Sequence, residues 1–224
     1  MLIKDWMTKD PITISDDTSM IKAIHIMNEH RFRRLPVVSQ GKLAGMVTDR
    51  DLKEASPSKA TTLDVHELYY LLAELQVSEI MSRNPVSVSQ DDTVEHAAQI
   101  MLEHTISGLP VVDAGGNLVG IITQSDIFRA FMHISGILQG GAQFGLRLED
   151  RPGIIKEVAD LMRDRGGRMV SLLTHYRTPE ENLRDVYIRV KNLTPAAVEA
   201  VKAELASRFQ ILYVIPEAEG EPAA

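Results

Sequence analysis

The sequence predicts an α+β chain in which two βαββα units pack as a pseudo-twofold pair and a separate βαββαβ unit follows. Three observations carry that expectation. Residues 3–38 and 77–112, overlaid at an offset of 74, are identical at 13 of 36 positions, including Met7/Met81, Pro11/Pro85, Ala23/Ala97 and Met27/Met101. The match closes on Leu35-Pro36-Val37-Val38 against Leu109-Pro110-Val111-Val112. One extra residue in the next turn moves the offset to 75 and sets Leu43, Gly45, Thr48 and Asp51 on Leu118, Gly120, Thr123 and Asp126. Past Phe131 the repeat stops and a different order of strand and helix patterns begins. A duplicated unit of this size implies copies packed about a pseudo-twofold axis, with equivalent surfaces facing one another across related clefts. The function is therefore expected between the copies.

In each copy the order is strand, helix, strand, strand, helix. In the first, Ile12-Thr13-Ile14 alternates as a short strand after Pro11, Ser15-Asp16-Asp17-Thr18 offers helix caps, and Ile21, Ala23, Ile24 and Met27 form a helical apolar stripe. Residues 35–38 read as a second strand, Gln40-Gly41 as a turn and 43–47 as a third strand, with a helix starting near Thr48 or Asp49. The second copy repeats this order, with Ala114-Gly115-Gly116-Asn117 as a longer hairpin turn. Ala55-Ser56-Pro57-Ser58 breaks the first terminal helix. A helix over about 63–75 follows, whose Leu68, Leu71, Leu72 and Leu75 recur at helical spacing and are expected to pack against the repeats.

Ser135-Gly136 and Gln139-Gly140-Gly141 read as a hinge. Beyond it the pattern predicts strand 143–148, helix 153–165, strands 169–176 and 183–190, helix 195–208 and strand 210–215. Pro152 near a helix start, Gly166-Gly167 after its end and Thr194-Pro195 as cap and first turn follow the positional preferences of those residues. The βαββαβ order is the ferredoxin-like pattern, an antiparallel sheet with two helices on one face. The expected division is thus 1–54, first copy; 55–76, linker helix; 77–132, second copy; 133–142, hinge; 143–216, ferredoxin-like domain; and 217–224, an acidic, small-residue tail expected to be disordered.

Composition narrows the function classes. A net charge of −7 argues against general nucleic-acid binding, which needs clustered Lys and Arg in excess. No apolar run approaches the roughly 20 residues of a membrane-spanning helix, and Lys4, Asp5 and Trp6 are unlike a signal peptide, so a cytoplasmic protein is expected. With no cysteine, disulfides, thiolate metal sites and cysteine nucleophiles are all excluded. The seven histidines show no metal-ligand spacing, and neither a Gly-x-Ser-x-Gly elbow nor a phosphate-binding Gly-x-x-x-x-Gly-Lys loop is present. No metal, catalytic residue or resident cofactor is expected.

Both copies close on Gly-x-x-Thr-x-x-Asp, as Gly45–Asp51 and Gly120–Asp126. Thr48 and Thr123 at a strand-to-helix junction place a hydroxyl and first-turn amides where an anion is received, and Asp51 and Asp126, one turn on, can accept from a vicinal diol. A nucleotide has the matching parts. Ser/Thr-x-x-acid is equally a capping box that only stabilises the helix, and an inherited cap would also recur. Arg33 and Arg34 precede the first Leu-Pro where the second copy has Ser107 and Gly108, so the two clefts are expected to be unequal, with the first copy supplying the phosphate partner or a solvated arginine pair.

The Met-x-x-x-Pro opening, the Leu-Pro-Val-Val strand and the Gly-x-x-Thr-x-x-Asp close, twice in order over residues 3–131, resemble tandem cystathionine-β-synthase (CBS) domains. The resemblance implies a paired module that binds an adenosine derivative such as AMP, ADP, ATP or S-adenosylmethionine. It implies that Thr48 and Thr123 meet phosphate or ribose oxygens and that Asp51 and Asp126 hold ribose hydroxyls. The strands after each proline, Ile12-Thr13 and Val86-Ser87, would line the base pocket.

Residues 143–215 resemble an ACT domain, a regulatory module that often binds amino acids at dimer interfaces, through Leu146-Arg147-Leu148-Glu149-Asp150-Arg151-Pro152-Gly153. There Asp150, Pro152 and Gly153 are the candidate amino-acid contacts, the alternative being a tight turn and helix start. Two CBS copies followed by an ACT domain, with Ser56–Thr61 and His66–Tyr70 between the copies, are similar to the acetoin-utilisation protein B family. What this implies is a non-catalytic, ligand-sensing regulator, a homodimer with an enzyme partner in acetoin or acetate metabolism. Two other readings stand beside it: an amino-acid-responsive subunit with the CBS pair as dimerisation scaffold, and an enzyme of acetoin or acyl metabolism.

Overall fold

The same few apolar side chains build the repeat unit twice. In this computed structural model, which describes residues 1–56, 64, 70, 72–176 and 182–216, the first copy comprises β1 (Thr8–Lys9), β2 (Ile14–Ser15), α1 (Met20–His30), β3 (Arg34–Ser39), β4 (Lys42–Thr48) and α2 (Asp49–Ala55). The second comprises α3 (Val77–Ile80), β5 (Ser82–Arg83), β6 (Val88–Ser89), α4 (Val94–Glu103), β7 (Gly108–Val112), β8 (Leu118–Thr123) and α5 (Gln124–Ile134). Equivalent positions are buried in both: Ile14/Val88, Met20/Val94, Ala23/Ala97, Met27/Met101, Leu35/Leu109, Val37/Val111 and Val47/Ile122. Periodicity of 3.6 in the helices and 2 in the strands turns these residues to the interior, and in the first copy they form one cluster with Leu52 and Val77.

Local starts differ from the sequence expectation in two places. The strand expected over residues 12–14 begins only at Ile14, because its parallel partner β3 pairs with Ile14 and Ser15 alone, at Val37 and Val38. The cap of α1 is Ser19, whose hydroxyl oxygen accepts from the Lys22 N–H, as Thr93 accepts from His96 N–H at α4. Residues 15–18 are consumed by the turn in which Thr18 N–H donates to the Ser15 carbonyl.

The copies exchange their opening strands. One sheet runs β2-β3-β4-β5 and the other β1-β8-β7-β6, so β1 of the first copy completes the second copy's sheet and β5 the reverse. The backbone bonds are reciprocal: Ile3 N–H donates to Asp92 and Val77 N–H to Thr18, while Lys4 N–H donates to Gln90 and Ser78 N–H to Asp16. This is the pseudo-twofold expected of the duplication, and it explains two repeated letters. Glycine at 45 and 120 admits the incoming strand: a Cβ on Gly45 would lie 2.9 Å from the Ser82 carbonyl oxygen, and one on Gly120 2.5 Å from Met7 Sδ. Of the linker, Leu72 and Leu75 pack against the first core, and residues 70 and 72–74 are helical; Leu68, Leu71 and Pro57-Ser58 lie outside the described residues.

The chain forms two compact units, Met1–Phe128 and Arg129–Ala224. In the second, β9 (Ala142–Glu149), α6 (Ile154–Asp164), β10 (Arg168–Tyr176), β11 (Leu183–Lys191), α7 (Pro195–Ala206) and β12 (Gln210–Ile215) form a fully antiparallel sheet in the order β10-β11-β9-β12. Phe144, Leu146, Val186 and Ile188 on one sheet face meet Val158 and Met162 of α6 and Val201 and Leu205 of α7, so both helices cover that face. Thr194 caps α7 through the Ala197 N–H, with Pro195 in the first turn. On the other face Arg147 grips the buried Asp185 through two bonds of 2.8 and 3.2 Å.

Helix α5 runs to Ile134, inside the segment expected as a hinge, and a 3-10 turn spans Ile137–Gln139. The rest of that segment is tied to the sheet: the Ser135 carbonyl accepts from Ser171 Oγ and Arg189 Nε, and the Gly141 carbonyl from Arg189 Nη1. The tail, 217–224, lies outside the described residues.

Candidate functional site

The two Thr-x-x-Asp junctions are built alike. Thr48 ends β4 in extended conformation and Asp51 folds back on it: Oδ2 accepts from both the Thr48 N–H and its hydroxyl at 2.8 Å, while Asp51 N–H returns a bond to Thr48 Oγ1. Asp126 Oδ2 accepts from the Thr123 N–H and hydroxyl at 2.8 and 2.7 Å. The capping box is therefore present, and it spends one carboxylate oxygen only. Among the described residues Asp51 Oδ1 has no hydrogen-bond partner, and Asp51 is partly exposed; Asp126 is 5% exposed.

The strand register brings the arginines to these junctions. Arg34 opposes Thr48 across β3 and β4, and Gly108 opposes Thr123 across β7 and β8. The equivalent ends meet at the axis, where Arg34 Nη2 donates to Ser107 Oγ and a Cβ on Gly108 would lie 2.9 Å from the guanidinium carbon. Ser107 and Gly108 thus accept the arginine of the other copy, and their departure from Arg33-Arg34 is the other half of one contact. Burial holds the Arg34 guanidinium below the usual arginine range, with Asp49 opposing that shift and Arg33 adding to it. Arg33 is exposed, and its carbonyl accepts from the Asp49 N–H at 3.0 Å, fixing the start of α2.

Ile12-Thr13 precedes Ile14, which pairs with Val37; continued backwards, that parallel register runs beside Pro36 and Leu35 toward Arg34 and Thr48. Val86-Ser87 stands in the same relation to Gly108 and Thr123. Both pairs therefore share a sheet end with the Thr-Asp junctions. Ile12 and Val86 are 39% and 38% exposed, an apolar surface without cover. Thr13 also borders a cavity of about 480 Å³ with Ile14, Ser15, Asp17, Thr18, Ser19, Lys22 and Ile26. The sequence reading takes Thr18 only as a candidate helix cap and does not single out Lys22; both differ from Asp92 and His96 in the second copy.

In the second unit, Asp150, Pro152 and Gly153 line a cavity of about 390 Å³ with Arg151, Ile154, Ile155 and Arg184. Gly153 holds φ +84° as the residue before α6, a left-handed conformation that suits glycine. Asp150 is paired with Arg184, whose guanidinium also lies 5.3 Å from the centre of the Tyr176 ring. Arg184 Nε is buried without a partner among the described residues. Sequence reasoning missed Arg184 because it arrives from β11, remote in sequence from Asp150. Among the described residues no cluster of three His, Asp or Glu has the arrangement of a metal site, and no helix is long and apolar enough to cross a membrane.

Comparison with known proteins agrees with the duplicated geometry. The family described as CBS domain matches residues 3–58 and 77–133. A CBS domain-containing protein of Dictyostelium discoideum is 38% identical over 128 residues, covering 57% of this chain and 88% of its own. The L-aspartate semialdehyde sulfurtransferase of Methanocaldococcus jannaschii is 36% identical over 58% of this chain, a match that spans 23% of that enzyme. Among solved structures, a Vibrio cholerae protein named AcuB for acetoin utilization superposes with a TM-score of 0.52 at 31% identity, covering 62% of this chain and 96% of that one.

Proposed function

The chain belongs to the CBS domain family, and on that premise we propose that it is a non-catalytic regulator binding an adenosine nucleotide or derivative in the cleft between its two copies. The observation that carries this is the meeting of both Thr-Asp junctions with Arg34 at the pseudo-twofold axis. Arg33 and Arg34 supply cations for a phosphate, and Asp51 keeps Oδ1 for a ribose diol while Oδ2 holds the cap. The exposed apolar Ile12 and Val86 offer a surface for a base. The two sites are unequal, because Asp126 is buried and the second copy has Ser107-Gly108 in place of arginines.

Regulation in this reading is linkage: the ligand favours one arrangement of the copies by its difference in affinity for the two, typically about 1–3 kcal/mol. The similarity to AcuB favours acetoin or acetate metabolism as the setting, with a homodimer acting on an enzyme partner. A match to 23% of a sulfurtransferase fits a regulatory module carried beside catalytic machinery. Titration with AMP, ADP, ATP and S-adenosylmethionine tests the proposal. Binding of one of them, weakened in Asp51→Ala, is the expected result; indifference to all four at millimolar concentration overturns it.

A second reading rests on the cavity at Asp150–Ile155. Its βαββαβ setting suits an ACT domain, and Arg184 with the start of α6 offers cationic character for a carboxylate. There an amino acid would be the ligand and the CBS pair a scaffold. It predicts response to free amino acids that is lost in Arg184→Ala and kept in Asp51→Ala and Asp126→Ala.

A further inference from the structure

The cavity beside α1 differs from its counterpart in the second copy in a way that points to a ligand. There the protein supplies its own partners: Asp92 accepts from the Ser89 N–H at 2.8 Å, and Lys4 pairs with Asp91 at 2.9 Å. In the first copy the equivalents of Asp92, Asp91, Lys4 and His96 are Thr18, Asp17, Ser78 and Lys22. Thr18 carries no carboxylate for the turn, and Ser78 brings no cation to Asp17. Thr18 is 9% exposed and lines the cavity, yet its hydroxyl has no hydrogen-bond partner among the described residues. Nor do Asp17 and Lys22 form an ion pair there.

We infer that this cavity of about 480 Å³ is a site for a free α-amino acid with a small apolar side chain, separate from the cleft between the copies. Its size lies in the range of about 300–1,000 Å³ common for small-molecule sites. The ligand carboxylate takes the place that Asp92 fills in the second copy, received by the Thr18 hydroxyl, the Lys22 ammonium and the N-terminal end of α1. The ligand ammonium meets Asp17, and its side chain lies on Ile14 and Ile26. Asp17 and Lys22, the acid and the base of the lining, match the two charges of a zwitterion better than those of a simple dianion.

Amide NMR spectra of the full chain, titrated with L-valine, test this. The expected result is shifts at residues 14–26, reduced at least tenfold in apparent affinity by Thr18→Val. In Thr18→Asp, which supplies the second copy's own carboxylate, the response is expected to vanish while the spectrum stays dispersed and the melting temperature does not fall. N-acetyl-L-valine and inorganic phosphate are expected to leave these amides unmoved. The inference is overturned if L-valine moves none of residues 14–26, if Thr18→Asp responds like the parent, if phosphate acts as well as L-valine, or if shifts cluster only at 150–155. Signals around Asp51 and Asp126 under AMP report on the other site, so either conclusion can fail alone.

Discussion

Asp51 holds the helix start through Oδ2, and the proposed reading gives its Oδ1 to a ribose, so one substitution bears on both. Asp51→Ala removes the acceptor for the Thr48 N–H and hydroxyl while Thr48 stays as the N-cap, and each such hydrogen bond is worth about 0.5–1.5 kcal/mol. The same change is expected to weaken an adenosine ligand by at least tenfold in calorimetry. Asp126→Ala is expected to cost more stability, because Thr123 loses its acceptor in a buried setting, and less affinity. At the axis, Gly108→Ala sets a Cβ against the Arg34 guanidinium, the far end of a flexible side chain that can swing away. Stability in urea is expected to stay within about 1 kcal/mol of the parent. Ligand affinity is expected to fall as Arg34 is displaced, and unchanged affinity would remove Arg34 from the phosphate role.

Elements show where local sequence stops being informative. The stripe Ile21, Ala23, Ile24 and Met27 announces α1 because spacing reveals a helix that buries one face, but the buried set is Met20, Ala23 and Met27, with Ile21 and Ile24 only half-buried. The exchange of β1 and β5 was not legible: a two-residue strand has no pattern, and its partner is chosen by packing of Met7 on Gly120 and Met81 on Gly45. Gly45→Ala is therefore expected to destabilise by about 1–3 kcal/mol in urea unfolding, since its Cβ meets backbone at Ser82 as well as the Met81 side chain. In the second unit the Arg147–Asp185 pair is the costly element contact to break. Asp185→Ala takes the carboxylate from a largely buried guanidinium and is expected to cost about 3–5 kcal/mol, read as a lowered urea midpoint.

Across the whole molecule the duplication was readable at once, and the asymmetry between Arg33-Arg34 and Ser107-Gly108 with it. Their physical meaning was not, because no alignment of the copies shows that positions 34 and 108 touch. The Thr-Asp motif was left open between cap and binding group, and the geometry places the cap on Oδ2 while Oδ1 of Asp51 makes no bond among the described residues. If a ligand fills the cleft, mass action stabilises the native chain by about 2.7 kcal/mol at one hundred times its dissociation constant. The most direct measurement is calorimetric titration of the parent and Asp51→Ala with AMP, ADP, ATP and S-adenosylmethionine. The account predicts saturable binding of at least one by the parent and at least tenfold weaker binding by Asp51→Ala. Binding of none, or equal affinity in Asp51→Ala and the parent, would contradict it.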